Sequence, residues 1–123
     1  MSHQNYPWLK NYPQKPGWKL DIPNLSMIDA FEDICAKKPD SPAMDFLGKS
    51  YTWSDFHDQV DRFAAGLQNM GVQKGQKIGL FLPNCPLFLI AYYGVLKSGA
   101  TVVNYNPLYA PAELRHQIED SET

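Results

Sequence analysis

Ser54, Asp55 and His57 stand within one short stretch, and a hydroxyl, a carboxylate and an imidazole are the ingredients of nucleophilic catalysis. A triad, however, needs a base that reaches the nucleophile and a third group that orients the base. Nearness along the chain supplies neither, so these residues read as a helix opening. His116 and Glu119 are spaced three apart, which puts two metal-ligand types on one helical face, but no further ligand accompanies them. A solvated helix face is the expectation, and no metal ligand set is assigned. Gly48-Lys49-Ser50 resembles the end of a phosphate-cradling loop. That loop requires a glycine five positions before its second glycine, where this chain has Ala43. The segment also leads into a strand, so it offers no helix N-terminus to a phosphate.

The loop Asn104-Tyr105-Asn106-Pro107-Leu108-Tyr109 is a different kind of candidate. It follows the carboxyl end of a predicted strand, where open α/β sheets place their ligands. Two asparagines carry donors and acceptors, Pro107 stiffens the backbone, and Tyr105 and Tyr109 offer flat faces with polar tips. It reads either as a pocket wall or as a rigid connection whose side chains merely pack.

The elements that must hold this loop follow from periodicity. Ser26 can cap a helix running to Lys38, with Asp29 as the acidic partner of the free amides and Met27, Phe31, Ile34 and Cys35 as an apolar stripe. Ala43–Leu47 and Ser50–Trp53 are short strand candidates around Gly48-Lys49, read as a two-residue primed turn. Thr52 with Asp55 opens a second helix whose buried face is Phe56, Val60, Phe63, Ala64, Leu67 and Met70, and Gly71 closes it. Lys77–Leu82 reads as a buried strand, Leu87–Ser98 as a helix, Thr101–Asn104 as a strand, and Pro111 opens another helix. The fold class is therefore α/β: βαβ units on a mainly parallel sheet with a small N-terminal hairpin. Residues 1–25 form an arm in which Pro7, Pro13, Pro16 and Pro23 oppose regular helix. Its Tyr6, Trp8, Tyr12 and Trp18 need a surface to cover, either this domain or that of a second subunit. Residues 26–123 form the domain proper.

Composition narrows the function. The chain has 123 residues and a formal net charge of -2, with no Lys/Arg run, which argues against nucleic acid as a partner. The longest nearly apolar run, Leu87–Leu96, is half the roughly 20 residues that a spanning helix needs, and so reads as a core helix. The N-terminus lacks a basic segment followed by an apolar one, so no signal peptide is read and a cytoplasmic location is expected. Cys35 and Cys85 are then reduced, and Asn24-Leu25-Ser26 is a chance match to a glycosylation acceptor.

Seven short motifs stand in order: Tyr51-Thr52, Gly71 to Gly75 as Gly-Val-x-Lys-Gly, Pro83-Asn84, Gly99-Ala100, Asn106-Pro107, Glu113-Leu114 and Asp120-Ser121. Together they resemble the opening of the adenylate-forming (AMP-binding) acyl-CoA synthetases. Val103-Asn104-x-Asn106-Pro107-Leu108-Tyr109, with Trp8-Leu9 and Tyr12-Pro13 in the arm, is most similar to bacterial long-chain fatty-acid–CoA ligases. The resemblance implies a parent that uses ATP, Mg2+ and coenzyme A to convert a fatty acid through acyl-AMP into acyl-CoA, AMP and pyrophosphate. It implies an incomplete large N-terminal domain here, since the family's phosphate loop, ribose-binding acid and adenylating lysine match no position of this sequence. No catalytic residue is therefore assigned and the chain alone is expected to be inactive. Asn104, Asn106, Pro107 and Tyr109 become candidates for the wall of an acyl or pantetheine channel. Two positions depart from the pattern: Ala110 stands where relatives often carry Thr, and Gln76 where an acidic residue is frequent. Alternatives are a parent acting on a medium-chain or aromatic acid, or a free-standing binding or assembly module, with a homodimer through residues 1–25 as a further expectation. Peripheral association with the inner membrane face is compatible with the resemblance. A parallel sheet this short leaves an apolar flank, so self-association or marginal stability is expected.

Overall fold

The computed structural model describes residues 7–13 and 20–123. Tyr6, Pro16 and Trp18 of the arm lie outside these. Within the arm, Leu9–Asn11 forms one 3-10 turn where regular helix was not expected. Helix α1 (Met27–Lys37) starts where a local signal says it should. The amide of Asp29 donates to Ser26 Oγ and the Ser26 amide donates to Asp29 Oδ2, both at 3.0 Å. The same reciprocal box, Thr52 with Asp55, opens α2 (Trp53–Asn69). Each box satisfies amides that the helix leaves unpaired, and losing such a cap costs about 1 kcal/mol. Trp53 thus belongs to the helix and not to the preceding strand.

Between these helices, β1 (Pro42–Phe46) and β2 (Lys49–Thr52) pair antiparallel, with Phe46 opposite Lys49. The turn is Leu47-Gly48, one position earlier than Gly48-Lys49. Both residues have positive φ, 49° and 80°, as a type I′ turn requires of its two central positions. Leucine is an unfavourable choice there because its Cβ crowds the carbonyl in the left-handed region. Nothing in the leucine side chain announces the turn, which is why the position one residue on looked better.

Strand β3 (Lys77–Leu80) and strand β4 (Thr101–Asn104) pair parallel, and α3 (Pro86–Lys97) connects them as one βαβ unit. Side chains alternate across a strand, so Ile78 and Leu80 share one face and pack with α3, while Lys77 and Gly79 face away. Helix α4 (Pro111–Ser121) follows β4 and contributes no buried residue. Its cap is half of a box: Ala110 has no side-chain acceptor, while Glu113 accepts from the Ala110 amide at 2.8 Å.

Two apolar clusters make the core, and α3 supplies both. Phe31, Cys35, Phe56, Val60 and Ile90 form the first, with Phe31 and Tyr93 stacked at 4.6 Å and Phe56 edge-on to Tyr93. Leu80, Ala91, Val95 and Ala100 form the second. The expectation that α3 is a buried core helix is met. Phe63 and Met70, expected on the buried face of α2, are instead 37% and 81% exposed. Met70 lies beyond the last turn, where the stripe has rotated off the core. Both cysteines are free, Cys35 buried among the aromatics and Cys85 half-buried ahead of α3. No helix among the described residues is long and apolar enough to cross a membrane.

Replacing Leu47 with Asn, which tolerates the left-handed region, is expected to stabilise the chain by about 0.5–1 kcal/mol. A chemical-denaturation midpoint that fails to rise in the L47N variant contradicts the turn assignment.

Candidate functional site

The loop that leaves β4 and the loop that leaves β3 face one another across a cleft of about 620 Å³. Leu82, Pro83 and Asn84 come from the first strand end, Asn104 to Tyr109 from the second, and Phe88 from the first turn of α3. This is the carboxyl edge of the parallel pair, where the crossover connection splays the loops apart. All four candidates read from the sequence, Asn104, Asn106, Pro107 and Tyr109, line it.

Their roles separate once the hydrogen bonds are traced. Asn106 Oδ1 accepts from the Leu108 amide at 3.0 Å, and the Asn106 carbonyl accepts from the Tyr109 amide at 3.0 Å. That side chain builds the turn around Pro107 and leaves its oxygen committed. The backbone carbonyl of Asn104 accepts from Gln117 Nε2 at 3.0 Å, tying β4 to α4. Tyr109 is 39% exposed and presents part of its ring to the cleft.

Tyr105, expected to offer its face alongside Tyr109, turns inward and is 7% exposed. Its amide donates to the Leu80 carbonyl at 2.9 Å, and its ring lies on Gly79. A Cβ at position 79 would stand 2.3 Å from Tyr105 Cε2, so only glycine lets the ring settle there. The Tyr105 hydroxyl meets Ser121 Oγ at 3.3 Å, which connects the loop to the far end of α4. The contribution of Leu82 to Asn84 and Phe88 was not read from the sequence. Its signal was present, because Pro83-Asn84 follows β3 as Asn106-Pro107 follows β4.

The other candidates resolve differently. His57 does not engage Ser54. Its Nε2 lies 2.7 Å from Glu32 Oε2, and its Nδ1 is 3.8 Å from Asp61 Oδ2. Lys97 from α3 bonds Glu32 of α1 and Asp61 of α2, so one ammonium joins three helices. Glu32, His57 and Asp61 are close enough to be metal ligands. The Lys97 ammonium already bonds both carboxylates, so the group reads as an ion network. Lys97 holds the Glu32 carboxyl below its ordinary value; partial burial opposes this and His57 adds to it. Burial of Lys97 works against its charge, but Asp61 and Glu32 outweigh that and keep the ammonium above its usual range. His116 shares a shallow depression with Glu113, Gln117 and Asp120, and Glu119 is not part of it.

The model of the AMP-binding enzyme family matches residues 31–123, and the chain belongs to that family. Over 116 residues it is 41% identical to the long-chain-fatty-acid–CoA ligase of Bacillus subtilis and 40% identical to that of Yersinia pestis. Those matches cover 94% and 93% of this chain and 21% of each relative, so the chain spans about a fifth of their length. The Klebsiella oxytoca NpsA N-terminal subdomain, solved with 3-hydroxyanthranilyl-AMSN, superposes with a TM-score of 0.78 at 23% identity. That match covers 80% of this chain and 25% of the solved one. The anthranilate CoA ligase AuaEII, with anthranoyl-AMP, gives 0.74 at 22% identity, covering 81% and 20%. At such identities the structures establish the shared fold.

Two outcomes test this geometry. Gly79→Ala should destabilise the chain by about 1–3 kcal/mol through overpacking against Tyr105. Trimming the ring in G79A/Y105L should recover part of that loss, a coupling that a double-mutant cycle reads. Because Glu32 titrates lower folded than unfolded, its contribution is present above the ordinary carboxyl value near 4.5 and disappears as pH falls through the folded value. In E32Q the acid side of the stability profile should flatten; an unchanged slope in thermal melts would remove the Lys97 pairing as its cause.

Proposed function

We propose that this chain is the scaffold-forming opening of a long-chain fatty-acid–CoA ligase. In that reading the parent joins a fatty acid to the α-phosphate of ATP, with Mg2+ and release of pyrophosphate. Coenzyme A thiol then displaces AMP from the acyl-adenylate. The observation that carries the reading is the extent of the match. The bacterial long-chain ligases align over 116 residues, arm included, whereas the rice 4-coumarate–CoA ligase 3 reaches 40% identity over only 72.

The chain's own residues define its share of the work. Adenylation depends on preorganised positive charge around the phosphates. Asn104, Asn106, Pro107 and Tyr109, with Asn84 and Phe88 opposite, supply neutral polar and apolar surface to the cleft and no such charge. They suit the wall of an acyl or pantetheine channel, shaped by the Asn106 turn and held from behind by Tyr105.

The experiment has two arms. Given ATP, magnesium and a long-chain fatty acid, the isolated 123-residue chain should form no acyl-adenylate. The full product of the reading frame that contains it should favour long-chain acids over medium-chain or aromatic ones by at least about tenfold in kcat/KM. Turnover by the isolated chain, or a preference for aromatic acids, overturns the proposal.

A further inference from the structure

We infer that Glu32, His57 and Asp61 form a zinc-binding site at the joint of α1, α2 and α3, closed at rest by the Lys97 ammonium, which the metal ion displaces.

Helix geometry gathers the ligands. His57 and Asp61 are four apart on α2, so both rise from one face of that helix. Glu32 meets them from α1. One donor atom from each of the three residues lies within 4.8 Å of the other two. Zinc holds nitrogen and oxygen donors at about 2.0–2.2 Å, which sets neighbouring donors roughly 3–3.5 Å apart. The side chains of His57, Glu32 and Asp61 are 31%, 38% and 45% exposed, so rotation at the surface supplies that contraction.

The charge balance calls for more cation than the chain provides. Glu32 and Asp61 bring two carboxylates, Lys97 brings one ammonium, and a negative charge is left over while His57 is neutral. Other basic groups of the same two helices are committed elsewhere, Lys37 to Asp33 and Arg62 to Asp58. Among the described residues, no further Lys or Arg pairs with the cluster. A divalent ion in the ammonium's place matches both carboxylates and gains the imidazole, which an ammonium cannot use as a metal does. The Lys97 side chain, partly exposed, then turns to water.

The site is also reachable. A depression of about 220 Å³ opens beside it, lined by Glu32 and His57 together with Cys35, Ala36, Pro39 and Ser54. That leaves room for water at a fourth position, as sites with three protein ligands keep. The donor set selects the ion. Imidazole favours zinc, whereas magnesium prefers oxygen and gives up its water reluctantly. The depression shares no residue with the cleft at the strand ends, so the site is independent of the acyl-chain reading. Exchange of the two cations changes what is tied together. Lys97 fastens α3 to α1 and α2, while zinc clips α1 to α2 and frees the end of α3.

The test is a calorimetric titration of the 123-residue chain with zinc chloride alone. A control replaces the other two histidines, as His3→Gln with His116→Gln. The chain and the control should both show one saturable site. His57→Gln and Asp61→Asn should each weaken it by at least about tenfold, since each removes a ligand. Lys97→Met removes the competing ammonium and should tighten it by about tenfold. Excess magnesium chloride should leave the affinity unchanged. Far-ultraviolet spectra establish which variants are folded. Should Lys97→Met fail to fold, the imidazole proton resonances of the wild-type chain decide, because zinc should shift those of His57 and not those of His116. The inference is overturned if the chain has no saturable site, if His57→Gln binds as tightly as wild type, or if the His3/His116 control loses the site. It is equally overturned if folded Lys97→Met binds no tighter, or if the His57 resonances do not move.

Discussion

Helix α3 is apolar on nearly every side, and the rest of the structure is arranged around the need to bury it. Ile90 enters the cluster built by α1 and α2, while Ala91 and Val95, about a third of a turn or more away, enter the one built on the parallel strands. A helix with a single apolar stripe could serve one core. Placed between two, α3 joins the hairpin-and-helix half to the βαβ half. The aromatic group of Phe31, Phe56 and Tyr93 then orders the first half by edge and face contacts worth more than area alone.

Charge acts at the same joint. Lys97 ends α3 and places its ammonium between Glu32 and Asp61, so the helix that organises the core by apolar contact also fixes its neighbours by an ion network. The site needs the opposite treatment. At the strand ends the loops are shaped by backbone and amide bonds, through Asn106, Gln117 and the Tyr105–Leu80 contact, and the surface they leave is neutral. These loops therefore hold their shape without charge at the surface they present.

What could be read in the sequence was what is local. Ser26 with Asp29 and Thr52 with Asp55 are three residues apart, and each box lies where its pattern puts it. Thr101–Asn104 is a strand end to end because the five residues between Gly99-Ala100 and Asn106-Pro107 leave little choice. The hairpin turn was placed one residue late because a left-handed leucine carries no signal. The inward turn of Tyr105 depends on the missing side chain of Gly79, in a different strand, so nothing near Tyr105 could show it. Likewise Glu32, Asp61 and Lys97 come from three separate helices, and only tertiary packing brings them together. The cleft was half legible: the loop after β4 stood out by its asparagines and tyrosines, and the loop after β3 did not.

The two cysteines give the fold a built-in chemical clock. Cys35 sits in the aromatic cluster, where burial, reinforced by Glu32 and Asp61, pushes its thiol above the ordinary range. A thiol that is largely covered and pushed upward in this way reacts slowly with an alkylating agent. Cys85 heads α3, partly open to solvent in the folded chain. Cys85 should therefore react before Cys35, and the gap between the two rates reads how well the first cluster covers its thiol.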